Sequence, residues 1–263
     1  MAEPLVWSEA KEPGVVILTL NRPQKRNALS MALMESLCRA MVAAEADVSR
    51  RVVILRGAGP VFCAGLDLRE AADDDTAERS AHLVAQTLRT IHRSRLVSIA
   101  AVHGAALAGG AGVMTACDLV VAADGTHIGY PETFRGLVAG LVMSFLVRQI
   151  GDRRARELLL LGESIGARRA ADIGLVNRVV EAGRLLDTAV ALATQVMMGG
   201  PQAVARIKEL LNELAPRDLD GDLHLALRHH LAARASDEAK EGLAAFLEKR
   251  APAWQQDLSD VKP

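Results

Sequence analysis

Short aliphatic runs alternate with stretches of helical spacing as far as about residue 195, and beyond that the pattern is helical throughout. Val15 to Leu20 is a β-branched run that stops at Asn21-Arg22-Pro23, which predicts a strand ending in a turn. Ser30 stands as an N-cap for a helix whose Leu33, Leu37, Met41 and Ala44 share one face. Arg51 to Arg56 predicts a second strand, closed by Gly57-Ala58-Gly59-Pro60. Thr76 to Arg93 reads as a helix with Leu83, Leu88 and Ile91 inward, and Val97 to Val102 as a buried strand. The small-residue tract Gly104 to Gly112 predicts a loop that becomes a tightly packed helix. Strands are expected at Asp118 to Ala123 and Ile173 to Val180. Between them lie two helices, Ser144 to Ile150 and Arg153 to Leu161, parted by Gly151-Asp152. Pro201 suits the first position of a later helix. The order predicts an α/β core, residues 1–195, followed by a helical region, residues 196–263. Leu223, Leu225, Leu227 and Leu231 of that region need a covering surface, on the chain's own core or on a neighbouring subunit.

Composition narrows the function classes. Half of the 263 residues are apolar but only 3% are aromatic, so Ala, Val, Leu and Ile must fill a closely packed interior. With 31 basic and 32 acidic residues, no nucleic-acid surface or membrane patch is expected. Cys38, Cys63 and Cys117 are odd in number and widely spaced, so they read as small buried hydrophobes and not as a disulfide framework or zinc site. The first residues lack the form of a secretory signal, and no long uncharged apolar stretch occurs, so a soluble, cytoplasmic protein is expected.

Three segments carry candidate chemistry. Phe62 to Leu68 follows a strand and a Gly/Pro turn, and its small Ala64 and Gly65 let a ligand approach a free backbone N–H. Ala108-Gly109-Gly110 heads a helix, where unpaired N–H groups and the helix dipole favour negative charge. Gly129-Tyr130-Pro131-Glu132 presents a carboxylate in a connection that can aim it into a cleft. Two N–H-bearing loops facing one point would make an oxyanion hole.

These segments resemble the enoyl-CoA hydratase/isomerase (crotonase) family. Asn21-Arg22-Pro23 with Asn27-Ala28-Leu29, Phe62 to Asp67, Ala101 to Asp118, Ala170 to Val176, and Glu241-Gly242 to Lys249-Arg250 are similar to the family's motifs, in its order, over nearly the whole chain. The resemblance implies a crotonase-like α/β spiral of repeated ββα units with a C-terminal helical region that forms trimers, often paired into hexamers. It implies an acyl-CoA thioester substrate, no metal and no cofactor apart from the coenzyme A of the substrate. The oxyanion donors would be the N–H groups of Leu66 and Gly109, and Glu132 the acid/base. Contacts to substrate or coenzyme A would come from Ala64, Asp67, Leu68, Arg69, Gly110, Gly112, Tyr130, Gly140, Phe246 and Lys249.

Ala108 replaces the first glycine of the family's triple and is small enough to keep the Gly109 donor, and the chain departs from the pattern at two places that bear on its proton chemistry. Family hydratases commonly use two glutamates, and the first aligns with Gly112, which cannot transfer a proton. The glycine-rich turn of typical hydratases is here Gly140-Leu141-Val142-Met143, bulkier and more apolar. Water addition wants two carboxylates, whereas moving a double bond needs one, so both departures lean toward isomerisation while the family leans toward hydration. Tyr130 is expected to pack at the pocket rim, and His103, His127 and Asp118 to be structural. Decarboxylase or thioesterase chemistry, or a catalytically weak coenzyme-A-binding protein, are the alternatives on the same frame.

Overall fold

The computed structural model describes residues 3–71, 74–213 and 219–253. β1 (Val6–Glu12) and β2 (Val15–Leu20) form an antiparallel hairpin around Gly14, at φ 79°. Only Val6 of β1 is buried, which is why its sequence gave no strand signal; it serves as a polar edge that closes the sheet against further pairing. From β2 the chain climbs through parallel strands. α1 (Met31–Ala46), capped by the Ser30 hydroxyl accepting from Leu33 N–H, leads to β3 (Val52–Gly57). α2 (Leu68–Ala71) and α3 (Asp74–Arg93) lead to β4 (Val97–Val102). Every residue of β2 and β4 is buried, as a parallel sheet covered on both faces demands.

The next turns show the repeat most fully. β4 is followed by a second short strand, β5 (Ala105–Leu107), and then α4 (Gly109–Ala116). β6 (Leu119–Ala123) is followed in the same way by β7 (His127–Gly129) and α5 (Gly140–Leu161). β8 (Ser164–Gly166), α6 (Ala167–Asp172), β9 (Arg178–Val180) and α7 (Leu185–Met198) complete the core. The large sheet runs β1-β2-β3-β4-β6-β9 and the small one β5-β7-β8. Single bridges, Cys63 to Ala106 and Leu29 to Leu66, extend the ββα repeat back to the earlier turns.

α5 is one assigned helix bent at Gly151 (φ 75°, ψ 167°), where the sequence placed a break. The strand expected over Ile173 to Val180 is shorter, only Arg178–Val180. Gly174 at φ 86° turns the preceding apolar residues into a loop whose Leu175 and Val176 N–H groups both donate to Ala170 O. Burial of Leu175 and Val176 in that loop explains the apolar run that looked like strand.

α7 lies on one face of the large sheet. Its Ala189 and Ala193 are fully buried against Ile17, Val52, Ile54, Ile99 and Val121, the small side chains permitting close approach. This helix crosses residue 195 and ends at Met198, so the chain leaves the core at Gly199-Gly200. α8 (Pro201–Glu213) is tied back by Lys208, whose Nζ donates to Leu96 O and pairs with Asp118 Oδ2, 2.7 Å each. Asp118 also accepts from the Ser98 N–H and hydroxyl, so its role is structural. α9 (Leu219–Arg234) packs on α3 and α5, with Leu223 buried and Leu225 46% exposed, and so covers part of its apolar stripe on its own core. α10 (Asp237–Glu248) packs on residues 131–135, where Ala239 and Leu243 meet Leu137 and Leu68.

Candidate active site

Asn27 organises the loop that follows β3. It sits at φ 53°, a left-handed conformation that Asn tolerates better than most residues. Its buried side chain donates to the carbonyls of Ala58, Val61 and Phe62 at 2.9–3.1 Å and accepts from Arg22 N–H. Arg22 in turn donates to Asp67 Oδ2 at 2.6 Å and to Ala28 O. Asp67 thus spends one oxygen on Arg22 and the other on the Arg69 N–H. These bonds fix the course of residues 62–67.

That course brings two backbone donors together. Gly65 is at φ 95°, and a Cβ there would fall 2.8 Å from Leu107 O and 3.4 Å from Gly109 N. A Cβ on Gly109 would lie 3.7 Å from Leu66 N. The Leu66 and Gly109 N–H groups therefore belong to two segments in direct contact, and neither donates to an acceptor among the described residues. Nearby N–H groups are engaged: Asp67 N–H donates to Leu29 O, Ala108 N–H to Gly129 O and Gly112 N–H to Ala108 O. Gly109 is also the first residue of α4, so the helix dipole adds to its pull on negative charge. Ala108, where the family has glycine, is held at φ 51° and ψ −124°, a conformation that favours glycine.

Glu132 follows β7 in the chain. Leu107 pairs with Gly129, and the Ala108–Gly129 bond (2.8 Å) fixes the end of β7 beside the head of α4. Three residues on, Glu132 lies in a 3-10 turn over Pro131–Arg135 and is 9% exposed. Its Oε2 has no hydrogen-bond partner among the described residues. Burial pushes its carboxyl up to about 7, only partly offset by its own backbone N–H and by the Arg135 guanidinium. Arg135 donates to Pro131 O at 3.0 Å and lies 4.8 Å above the Phe246 ring, joining the turn to α10. Tyr130 is not at a rim: it is fully buried, and its hydroxyl lacks a hydrogen-bond partner among the described residues. Burial, and then the Glu132 charge, raise its phenol above the usual range.

The remaining candidates divide. Gly110 is required for packing, since a Cβ there would overlap Cys63 O. Gly140 begins α5, and a Cβ there would fall 2.8 Å from Ala226 O of α9, so this glycine too serves close approach. Gly112 faces Val142 and Leu88. Ala64 and Leu66 are half-buried beside the free N–H groups, while Leu68 packs toward α10 and Arg69 is exposed. Phe246 and Lys249 are both exposed on α10 and its C-cap. His103 is bonded to Gly59 O at 2.8 Å, and His127 is exposed on β7. The three cysteines are buried, with burial pushing the Cys63 thiol up to about 12. Sequence reasoning missed the organising part played by Asn27 and Arg22. Their motif was visible, but the left-handed turn and the three carbonyls it gathers come from tertiary contact.

Two backbone N–H groups without acceptors among the described residues, on touching segments, and a buried carboxylate in the turn that follows β7 are the groups a site for acyl chemistry would use. The chain belongs to the enoyl-CoA hydratase/isomerase family, whose model matches residues 10–257, and it is an acyl-CoA enzyme of that family. A Thermus thermophilus protein assigned as an enoyl-CoA hydratase is 40% identical over 249 residues, covering 93% of this chain and 98% of the relative. A mevalonyl-coenzyme A hydratase of Aspergillus fumigatus is 37% identical, covering 92% of each chain. The crystal structure of an enoyl-CoA hydratase from Mycobacterium avium superposes with a TM-score of 0.86 at 36% identity, covering 96% of this chain and all of that one, which makes the architecture a crotonase-like fold.

Proposed function

We propose that the enzyme moves protons on an enoyl-CoA thioester with Glu132 as its acid/base, the thioester oxygen being held by the N–H groups of Leu66 and Gly109. The observation that carries this reading is the poise of Glu132: buried, lacking a partner at Oε2 and raised to about 7. At neutral pH such a group is populated in both forms, so it can take a proton and return it. The two donors stabilise the enolate that forms in between, each contributing about 3 kcal/mol in comparable sites. Shifting a double bond needs only this set. Hydration is the second reading, favoured by the hydratase names of the relatives. The residues around coenzyme A are proposed to be Ala64, Asp67, Leu68 and Arg69 on the loop after β3, with Phe246 and Lys249 on α10. A homotrimer or dimer of trimers would cover the apolar residues left open outside the core, Met198 (85% exposed) and Leu211 (65%).

The test is turnover of 2-enoyl- and 3-enoyl-CoA by the wild-type chain and by Glu132→Gln. Loss of about 100-fold or more in the variant, with thioester binding kept, is expected. An unimpaired variant would refute the role given to Glu132.

A further inference from the structure

Gly109 and Gly112 are one helical turn apart on α4 and so share a face. The Gly109 N–H is one of the two free donors, so a side chain at position 112 would project beside the seat of the thioester carbonyl. That space is already taken. A Cβ on Gly112 would overlap Val142 Cγ1 and would lie 3.3 Å from Val142 Cβ and 3.5 Å from Leu88 Cδ2. Val142 is 3% exposed and Leu88 fully buried. Val142 comes from the first turn of α5, the helix that follows the Glu132 turn in the chain. The two departures from the family pattern are therefore one feature: hydrocarbon from position 142 fills the volume that a side chain at 112 would occupy.

We infer that Val142 is a specificity-determining residue that decides the fate of the enolate, an inference resting on the Glu132 reading above. A buried water needs two to four polar partners, and the methyls of Val142 and Leu88 offer none. The wall therefore excludes both a second acid and a nucleophilic water. The proton inventory then closes on Glu132 alone. Its carboxylate takes the proton from C2 of a 3-enoyl thioester, and the C2–H electron pair moves into the enolate. As the carbonyl re-forms, the double bond shifts to C2–C3, and the C3–C4 pair receives the same proton at C4. The carboxylate is restored, and nothing is oxidised or reduced. Hydration of the product would need a water oxygen to bond C3 and a proton to reach C2, and the water has no place to be held.

The experiment measures the ratio of 2-enoyl-CoA hydration to 3-enoyl-CoA isomerisation in the full-length wild type, Val142→Ala, Val142→Gly and the double variant Gly112→Glu/Val142→Gly. Both activities are read from the ultraviolet absorbance of the conjugated thioester, with folding checked by circular dichroism. The ratio is expected to rise from alanine to glycine, by about 10-fold or more for glycine, and to rise again in the double variant. Should Val142→Gly fail to fold, Val142→Ala carries the test with a smaller increase. An unchanged ratio in the folded variants, or a wild type that hydrates faster than it isomerises, would overturn the inference. Either result leaves the Glu132 reading standing, because that reading falls only if Glu132→Gln keeps its turnover.

Discussion

Replacing Glu132 by glutamine should stabilise the protein at alkaline pH while abolishing its chemistry. The carboxyl is raised from an ordinary 4.5 to about 7, chiefly by burial. Between these values the folded state binds more protons than the unfolded state, so stability falls as pH rises, and the whole cost is present above about pH 7. At about 1.4 kcal/mol per decade, the gap sets a ceiling of about 3 kcal/mol. Between about pH 5 and pH 8, roughly 2 to 3 kcal/mol of that cost develops. Glutamine has the shape of the neutral acid and cannot ionise, so the variant escapes it. Urea unfolding of wild type and Glu132→Gln at both pH values, at one protein concentration, isolates the effect. The stability advantage of the variant should be larger near pH 8 than near pH 5 by that amount. The attraction of the Arg135 guanidinium is already contained in the value of about 7, so it does not change the expected difference. An advantage that does not change with pH would mean that Glu132 titrates in its ordinary range when folded, and the proton-shuttle argument would lose its basis.

Four further outcomes follow from particular contacts. Isomerisation requires the carboxylate, so kcat/KM should rise through about pH 7 to a plateau; a bell-shaped profile would reveal a second titrating group. Ala108→Gly relieves a backbone held at φ 51° and should stabilise by about 1 kcal/mol in urea unfolding, with activity kept. Asn27→Ala leaves the buried carbonyl of Phe62 and the partly buried ones of Ala58 and Val61 without their donor and should cost about 2 kcal/mol while lowering kcat, since the loop bearing Leu66 loses its anchor. Lys208→Met leaves Leu96 O without its donor and Asp118 with its Ser98 bonds alone, and should cost about 1 kcal/mol in the same measurement.

Much of this molecule was readable from sequence because its strands are buried on both faces. β2, β3 and β4 are aliphatic runs with clear stops, and each was placed within a residue of its observed bounds. β1 gave no such signal, since one buried valine cannot make a pattern. β5, β7 and β8 have three residues each, too few for any periodicity, yet their pairing is what holds Gly129, three residues before Glu132, beside the head of α4. The candidate site shows the same division. Residues whose chemistry lies in the backbone, Leu66 and Gly109, could be named from motif position, and the structure puts their free N–H groups in touching segments. A bare glycine at 112 and a bulky valine at 142 were each visible as departures. Only the fold brings them into contact across 30 positions of sequence, because α4 and α5 pack against each other. Complementary volume is a relation between residues, and periodicity, propensity and motif all describe residues near one another in the chain. The feature that most separates this enzyme from a two-glutamate hydratase is therefore of the kind that a linear reading can list in halves but cannot join.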